Sequence, residues 1–127
     1  MHKKIILVSN DARLFETILK LIQTMNIVLP DEIVRVAYCD EALNTLPEKG
    51  SCILITDSYN AFPQHPDKTT SVVEMAEAAH QKNPECKVVL SAFDYWDIEE
   101  KPFDMLLDLK EKESIEIVLR EYLKKNL

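Results

Sequence analysis

Apolar runs alternate along the whole chain with stretches in which apolar residues recur at three- and four-residue spacing. Lys4 to Val8 reads as a strand that stops abruptly at Ser9-Asn10-Asp11. From about Ala12 to Met25, the residues Leu14, Ile18, Leu21, Ile22 and Met25 fall on one face of a helix. Pro30-Asp31 marks a turn, and Glu32 to Tyr38 alternates like a second strand. Tyr38-Cys39-Asp40 reads as turn and cap material. Asp40 is placed to cap a short helix, DEALNTL, which Pro47 and Gly50 close. CILIT, residues 52–56, is apolar almost throughout, as expected of a strand covered on both faces.

Residues 58–70 carry two prolines and no periodicity, which predicts a long loop. Ser71-Val72-Val73-Glu74 is a capping-box pattern opening a helix that ends at Asn83-Pro84. KVVLSA is a further buried strand, DYWDIEE a short and possible helical piece, and DMLLDL a fifth strand. A final helix starts at Ser114, with Ile115, Val118, Leu119 and Tyr122 on one face. Five strands alternating with helices predict βαβ units. The fold class is therefore α/β: one domain over residues 1–127, a doubly wound five-stranded parallel sheet with helices on both faces.

Composition narrows the functional classes. A chain of 127 residues with 46% hydrophobic and 29% charged residues has the make-up of a soluble globular domain. No apolar run has the length of a bilayer span. The two lysines of MHKKIILV precede only a strand-length apolar run, so no signal peptide is expected and the cytoplasm is the default compartment. The net charge of -7 opposes a dedicated nucleic-acid domain, because such affinity comes mostly from neutralising phosphates. Lys124-Lys125 instead complement the carboxyl end of the last helix. Cys39, Cys52 and Cys86 are odd in number and far apart, which opposes a zinc site or a disulfide framework, and Cys52 is expected to pack as a small hydrophobe.

In an open parallel sheet, ligands bind beyond the carboxyl ends of the strands at the point where the winding reverses. Ser9, Asn10 and Asp11 follow the first strand, and Thr56-Asp57-Ser58 end the third. Ser91-Ala92 end the fourth, and Lys110 follows the fifth. A carboxylate, a hydroxyl and an ammonium from separate strands suit phosphoryl chemistry. A carboxylate can act as a nucleophile toward phosphoryl groups, giving an aspartyl phosphate, and a hydroxyl and a lysine can then hold the phosphoryl oxygens. Magnesium would assist through octahedral oxygen ligands.

Five segments, in order, resemble the receiver (CheY-like) domain of two-component response regulators. KKIILVSNDARLFETILKLI is similar to its first strand and helix, and VRVAYCDEALNTL to the second pair. ILITD is similar to the phosphoacceptor strand, and NPECKVVLSA to the passage that ends in Ser/Thr-Ala. LDLKEKESIEIVLREYL is similar to the lysine-bearing strand end and last helix. The resemblance implies a flavodoxin-like strand order, 2-1-3-4-5. It implies Asp57 as phosphoacceptor, Ser91 as the hydroxyl that moves toward the phosphoryl group, and Lys110 as the ion-pair partner. It also implies a magnesium ion held by Asn10, Asp11, Asp57 and the backbone carbonyl of Tyr59.

Several positions depart from the family pattern. Its acidic pair after the first strand falls on Ser9-Asn10 or, after a one-residue slip, on Asn10-Asp11. The slip would turn Phe15, Ile18, Leu19 and Ile22 inward. Either choice removes negative charge facing a divalent cation, so magnesium binding is expected to be weak or absent. Gly50 is the only glycine, and the loop after Asp57 lacks the family's Met-Pro-Gly. The fourth helix has to fit within residues 93–100. Leu107 stands where many relatives have a switching aromatic. Lys101-Pro102-Phe103 resembles the family's Lys-Pro-Phe motif but follows the fourth strand too closely, which leaves Lys110 as the counterpart. His65 and His80 are expected at the surface. Tyr95-Trp96 could dock a partner or pack over a shortened helix.

The function expected is a stand-alone receiver or pseudo-receiver in phosphorelay signalling, acting through protein contacts. It is not an enzyme beyond self-phosphorylation and self-dephosphorylation at Asp57. The expected partner is a sensor histidine kinase or another signalling protein, with neither nucleic acid nor membrane involved. The competing readings are a flavodoxin-fold cofactor protein, a small hydrolase-type enzyme on the same fold, and a receiver domain cut from a longer regulator. No glycine-rich phosphate loop or D-x-D follows the first strand to favour the first two.

Overall fold

The computed structural model of the chain describes residues 3–8, 12–25, 32–36, 39–57, 72–92, 103–108 and 114–126. Its elements, in order, begin with β1 (Lys3–Val8), α1 (Ala12–Met25), β2 (Ile33–Val36), α2 (Cys39–Thr45) and β3 (Ser51–Asp57). They continue with α3 (Val72–Lys82), β4 (Cys86–Ala92), β5 (Met105–Asp108), a π-helical segment (Ser114–Leu119) and α4 (Arg120–Asn126). All strand pairs are parallel, in the order β2-β1-β3-β4-β5. The chain winds outward from β1 to β2, then crosses back to β3. The reversal between β1 and β3 is the place where such sheets bind ligands.

The apolar runs become the central strands because side chains alternate between the two sheet faces and both faces are covered. Ile6, Val8, Cys52, Leu54, Val88 and Leu90 point into one buried layer, under Ala42 of α2, Leu46 just beyond it, and Met75, Ala76 and Ala79 of α3. Ile5, Leu7, Ile53, Ile55, Val89 and Leu107 point the other way, under Ile18, Leu21 and Ile22 of α1 and Leu119 and Leu123 of the last helix. Phe15 and Met25 pack at the margin of that second layer. The predicted doubly wound sheet is the one observed.

Two expectations about helices need correction. α2 begins at Cys39 rather than after a cap at Asp40, because the Cys39 side chain is buried under the helix. Asp40 then lies in the first turn, where its carboxylate still complements the helix dipole. The final helix opens in the wider π form, and this carries Val118 out to 45% exposure. Its inner face is built from Leu119 and Leu123, with Tyr122 partly covered. A 3.6-residue period phased on Ile115 and Val118 misses this because the π winding holds more residues per turn. Lys124 and Lys125 do lie in the last turn.

Long-range polar contacts fix the end of the sheet at which the strands begin. α2 has no basic residue in its last turn, yet its orphan carbonyls are met from elsewhere. Lys82 Nζ donates to Leu43 O at 2.8 Å, and Lys4 Nζ donates to Thr45 O at 3.0 Å. Asn83, buried at the end of α3, donates from Nδ2 to Gly50 O (3.1 Å) and accepts from the Glu85 N–H (3.0 Å). Gly50 has a φ of 97°, which its missing Cβ permits, and its N–H donates to Glu85 Oε2 at 3.0 Å. Asp104 Oδ2 accepts from Val88 N–H at 2.7 Å and from His80 Nε2 at 2.8 Å. This ties α3, β4 and the entry to β5 together.

Candidate functional site

The carboxyl ends of β3 and β4 bring two of the candidate residues, Asp57 and Ser91, side by side. Strand register makes Asp57 the partner of Ser91, and Ser91 the partner of Leu107. One row therefore crosses β3, β4 and β5 at the last turn of the sheet. The alternation that buries Val89 and Leu107 beneath the last helix places Ser91 on the same face. Ser91 is fully buried, and its Oγ donates to the backbone carbonyl of Thr56 at 3.1 Å. A buried hydroxyl needs a partner, and here it has a neutral one on the neighbouring strand. Leu107 has no exposed surface and packs with Leu119 and Leu123, so an aliphatic side chain fills the row beside Ser91.

Sequence reasoning placed Asp57 and Ser91 at the ends of the third and fourth strands, and the parallel pairing of β3 with β4 sets those two ends side by side. It missed the carbonyl of Thr56, which no side-chain pattern reports. Among the expected site residues, Asn10, Asp11, Tyr59 and Lys110 lie outside the described residues, as do Ser9, His65, Tyr95, Trp96, Lys101 and Pro102. For Asp57 the backbone position is described. His80 belongs to a different place, the clasp with Asp104 at the opposite end of the sheet.

Among the described residues, no group of three or more His, Cys, Asp or Glu could hold a metal ion. The Ser91 hydroxyl is occupied by Thr56, so the described donors fall short of the octahedral oxygen shell that magnesium takes. No described helix is long and apolar enough to cross a membrane.

No protein-family model matches the chain, and no curated protein does. Solved structures do. The two-component transcriptional regulator AraC from Clostridium phytofermentans superposes with a TM-score of 0.70 at 16% identity, over 98% of this chain and 90% of that one. The response regulator TrrA from Thermotoga maritima, solved in complex with Mg2+-BeF, gives 0.68 at 21% identity, over 98% and 99%. The chemotaxis response regulator CheY4 of Vibrio cholerae gives 0.65 at 14% identity, over the full length of both chains. The sheet order, the layering and these full-length superpositions together give this chain the fold of response-regulator receiver domains.

Proposed function

We propose that the chain is a receiver module of two-component phosphorelay signalling, with Asp57 as its phosphoacceptor. It acts through contacts with a sensor histidine kinase or another signalling protein rather than by turning over a substrate. The observation that carries this reading is the pairing of Asp57 with Ser91 at the carboxyl end of the sheet, beside the reversal of winding. The last described pair between β1 and β3 is Val8 with Thr56, one position before Asp57.

In the proposed step, a carboxylate oxygen of Asp57 attacks the phosphorus of a phosphohistidine or an acyl phosphate. The bond to the leaving imidazole or carboxylate breaks, and the leaving group keeps the electron pair. Asp57 then carries an acyl phosphate, whose hydrolysis restores the carboxylate. Magnesium, when bound by Asn10, Asp11, Asp57 and the Tyr59 carbonyl, would neutralise charge on the phosphoryl oxygens. Lys110 would pair with the same oxygens.

Ser91 supplies the switch. Its bond to Thr56 is neutral and contributes about 1 kcal/mol net, whereas a bond to an anionic phosphoryl oxygen is about twice as strong. The difference, on the order of 1 kcal/mol, shifts the two hydroxyl positions by several-fold, which is enough to bias a pre-existing equilibrium. The uncharged Ser9-Asn10 pair favours a second reading, a pseudo-receiver that docks without phosphorylation.

Thermal unfolding with magnesium and beryllofluoride, a phosphoryl mimic, tests the proposal. The wild type is expected to melt higher with the mimic, Asp57→Asn to show no gain, and Ser91→Ala to show a smaller one. An equal gain in Asp57→Asn would remove Asp57 from the role. No gain in folded wild type would transfer the assignment to the pseudo-receiver.

A further inference from the structure

We propose that Cys52 and Cys86 form a dithiol that a small hydroperoxide converts into a disulfide, joining β3 to β4 at the end of the sheet away from Asp57. This goes beyond the receiver reading and stands apart from the phosphoryl site.

The argument begins with register. Lys4, Cys52 and Cys86 are successive partners across β1, β3 and β4, one row on one face of the sheet. Neighbouring strands lie about 4.8 Å apart, inside the roughly 4.4–6.8 Å between Cα atoms that a disulfide spans. Both cysteines belong to the layer beneath α2 and α3, so their side chains point the same way. Both are free thiols and only 1% exposed. Cys39 opens α2 and stands outside the row.

The row is also chemically polarised. The Cys86 thiol donates to Lys87 O at 3.8 Å, and the interaction of the two thiols, opposed by burial and aided by the nearby Lys4 charge, holds the Cys52 thiol below its ordinary range. The same interaction, with burial, pushes the Cys86 thiol up. Within the proposal Cys52, in register with Lys4, takes the part of the nucleophile, and Cys86, its partner across the strands, resolves it. Two alanines or valines would fill the space without this asymmetry. Burial selects the oxidant, because a hydroperoxide close to the size of water reaches such a site where a glutathione-sized disulfide does not.

The Cys52 thiolate attacks one oxygen of the peroxide, the O–O bond breaks, and hydroxide leaves to form water with the proton released from Cys52. The Cys52 sulfenic acid then condenses with the Cys86 thiol, forming the S–S bond and expelling a second water. Two thiols are oxidised and one peroxide is reduced. The closed loop runs from residue 52 to residue 86 and contains Asp57.

The test uses the full chain. Folded protein is treated with hydrogen peroxide, unfolded in the presence of an alkylating agent, and analysed by intact mass and peptide mapping. Of the three cysteines, Cys52 and Cys86 are expected to escape alkylation together, with the loss of two hydrogens and a cross-linked 52–86 peptide. Cys39→Ala should behave identically, and glutathione disulfide should leave the pair reduced. The proposal is overturned if both thiols stay alkylatable after peroxide, if they oxidise separately to sulfinic acids without linkage, or if the cross-link involves Cys39.

Discussion

Replacing Asn83 with alanine tests how one end of the sheet fixes the other. Asn83 is fully buried where α3 ends, and its amide joins two segments, donating to Gly50 O and accepting from the Glu85 N–H. Gly50 leads directly into β3, and Glu85 leads into β4. The same side chain therefore sets the relative start of the two strands whose far ends pair Asp57 with Ser91. Alanine removes both hydrogen bonds and leaves a partly buried carbonyl and N–H without that partner. At about 1 kcal/mol for each bond, plus part of the desolvation cost of the stranded groups, the loss is about 2–4 kcal/mol. Set against a domain stability of about 5–15 kcal/mol, that is a large fraction. Urea unfolding followed by circular dichroism is the assay. The midpoint is expected to fall by about 1–2 M with an unchanged slope. A loss below about 0.5 kcal/mol, the ordinary scale of a surface change, would show that the amide is not what joins the two strand starts.

Asp104→Ala removes the acceptor shared by Val88 N–H and His80, and is expected to cost about 1–3 kcal/mol in the same assay, with Asp104→Asn losing less. Tyr122 gives a pH dependence. Burial, with smaller effects from Asp104 and Cys86, pushes its phenol from an ordinary value of 10 up to about 12. The folded state thus favours the neutral phenol. Its contribution is complete below pH 10 and is lost as pH rises toward 12. Discounted for a ring that is only partly covered, this amounts to about 1 kcal/mol. Tyr122→Phe should lose less stability across that window than the wild type, and equal losses would remove Tyr122 as the source.

Much of the fold was legible because it rests on periodicity. Ile5 to Val8, Ile53 to Ile55 and Val88 to Leu90 read as buried strands, since covering a sheet on both faces leaves nothing polar along them. The extent of α1 followed from the recurrence of Leu14, Ile18, Leu21, Ile22 and Met25 at helical spacing. Cys39 and Val118 were misplaced because their exposure is decided by tertiary packing and by a local change of helical winding. Lys4, Lys82 and Asp104 carry no sequence signal for their roles. Their partners lie 41, 39 and, for the two groups on Asp104, 24 and 16 residues away. The adjacency of Asp57 and Ser91 was legible, since parallel order and strand length together determine it. Ser91's present acceptor was not, because it is a main-chain atom.

The most direct measurement is the intact mass of the wild type and of Asp57→Asn after incubation with magnesium and acetyl phosphate. One phosphoryl adduct on the wild type and none on Asp57→Asn is the expected result. An adduct of equal yield on both, or none on the folded wild type, would contradict the assignment of Asp57 as the phosphoacceptor of a working receiver.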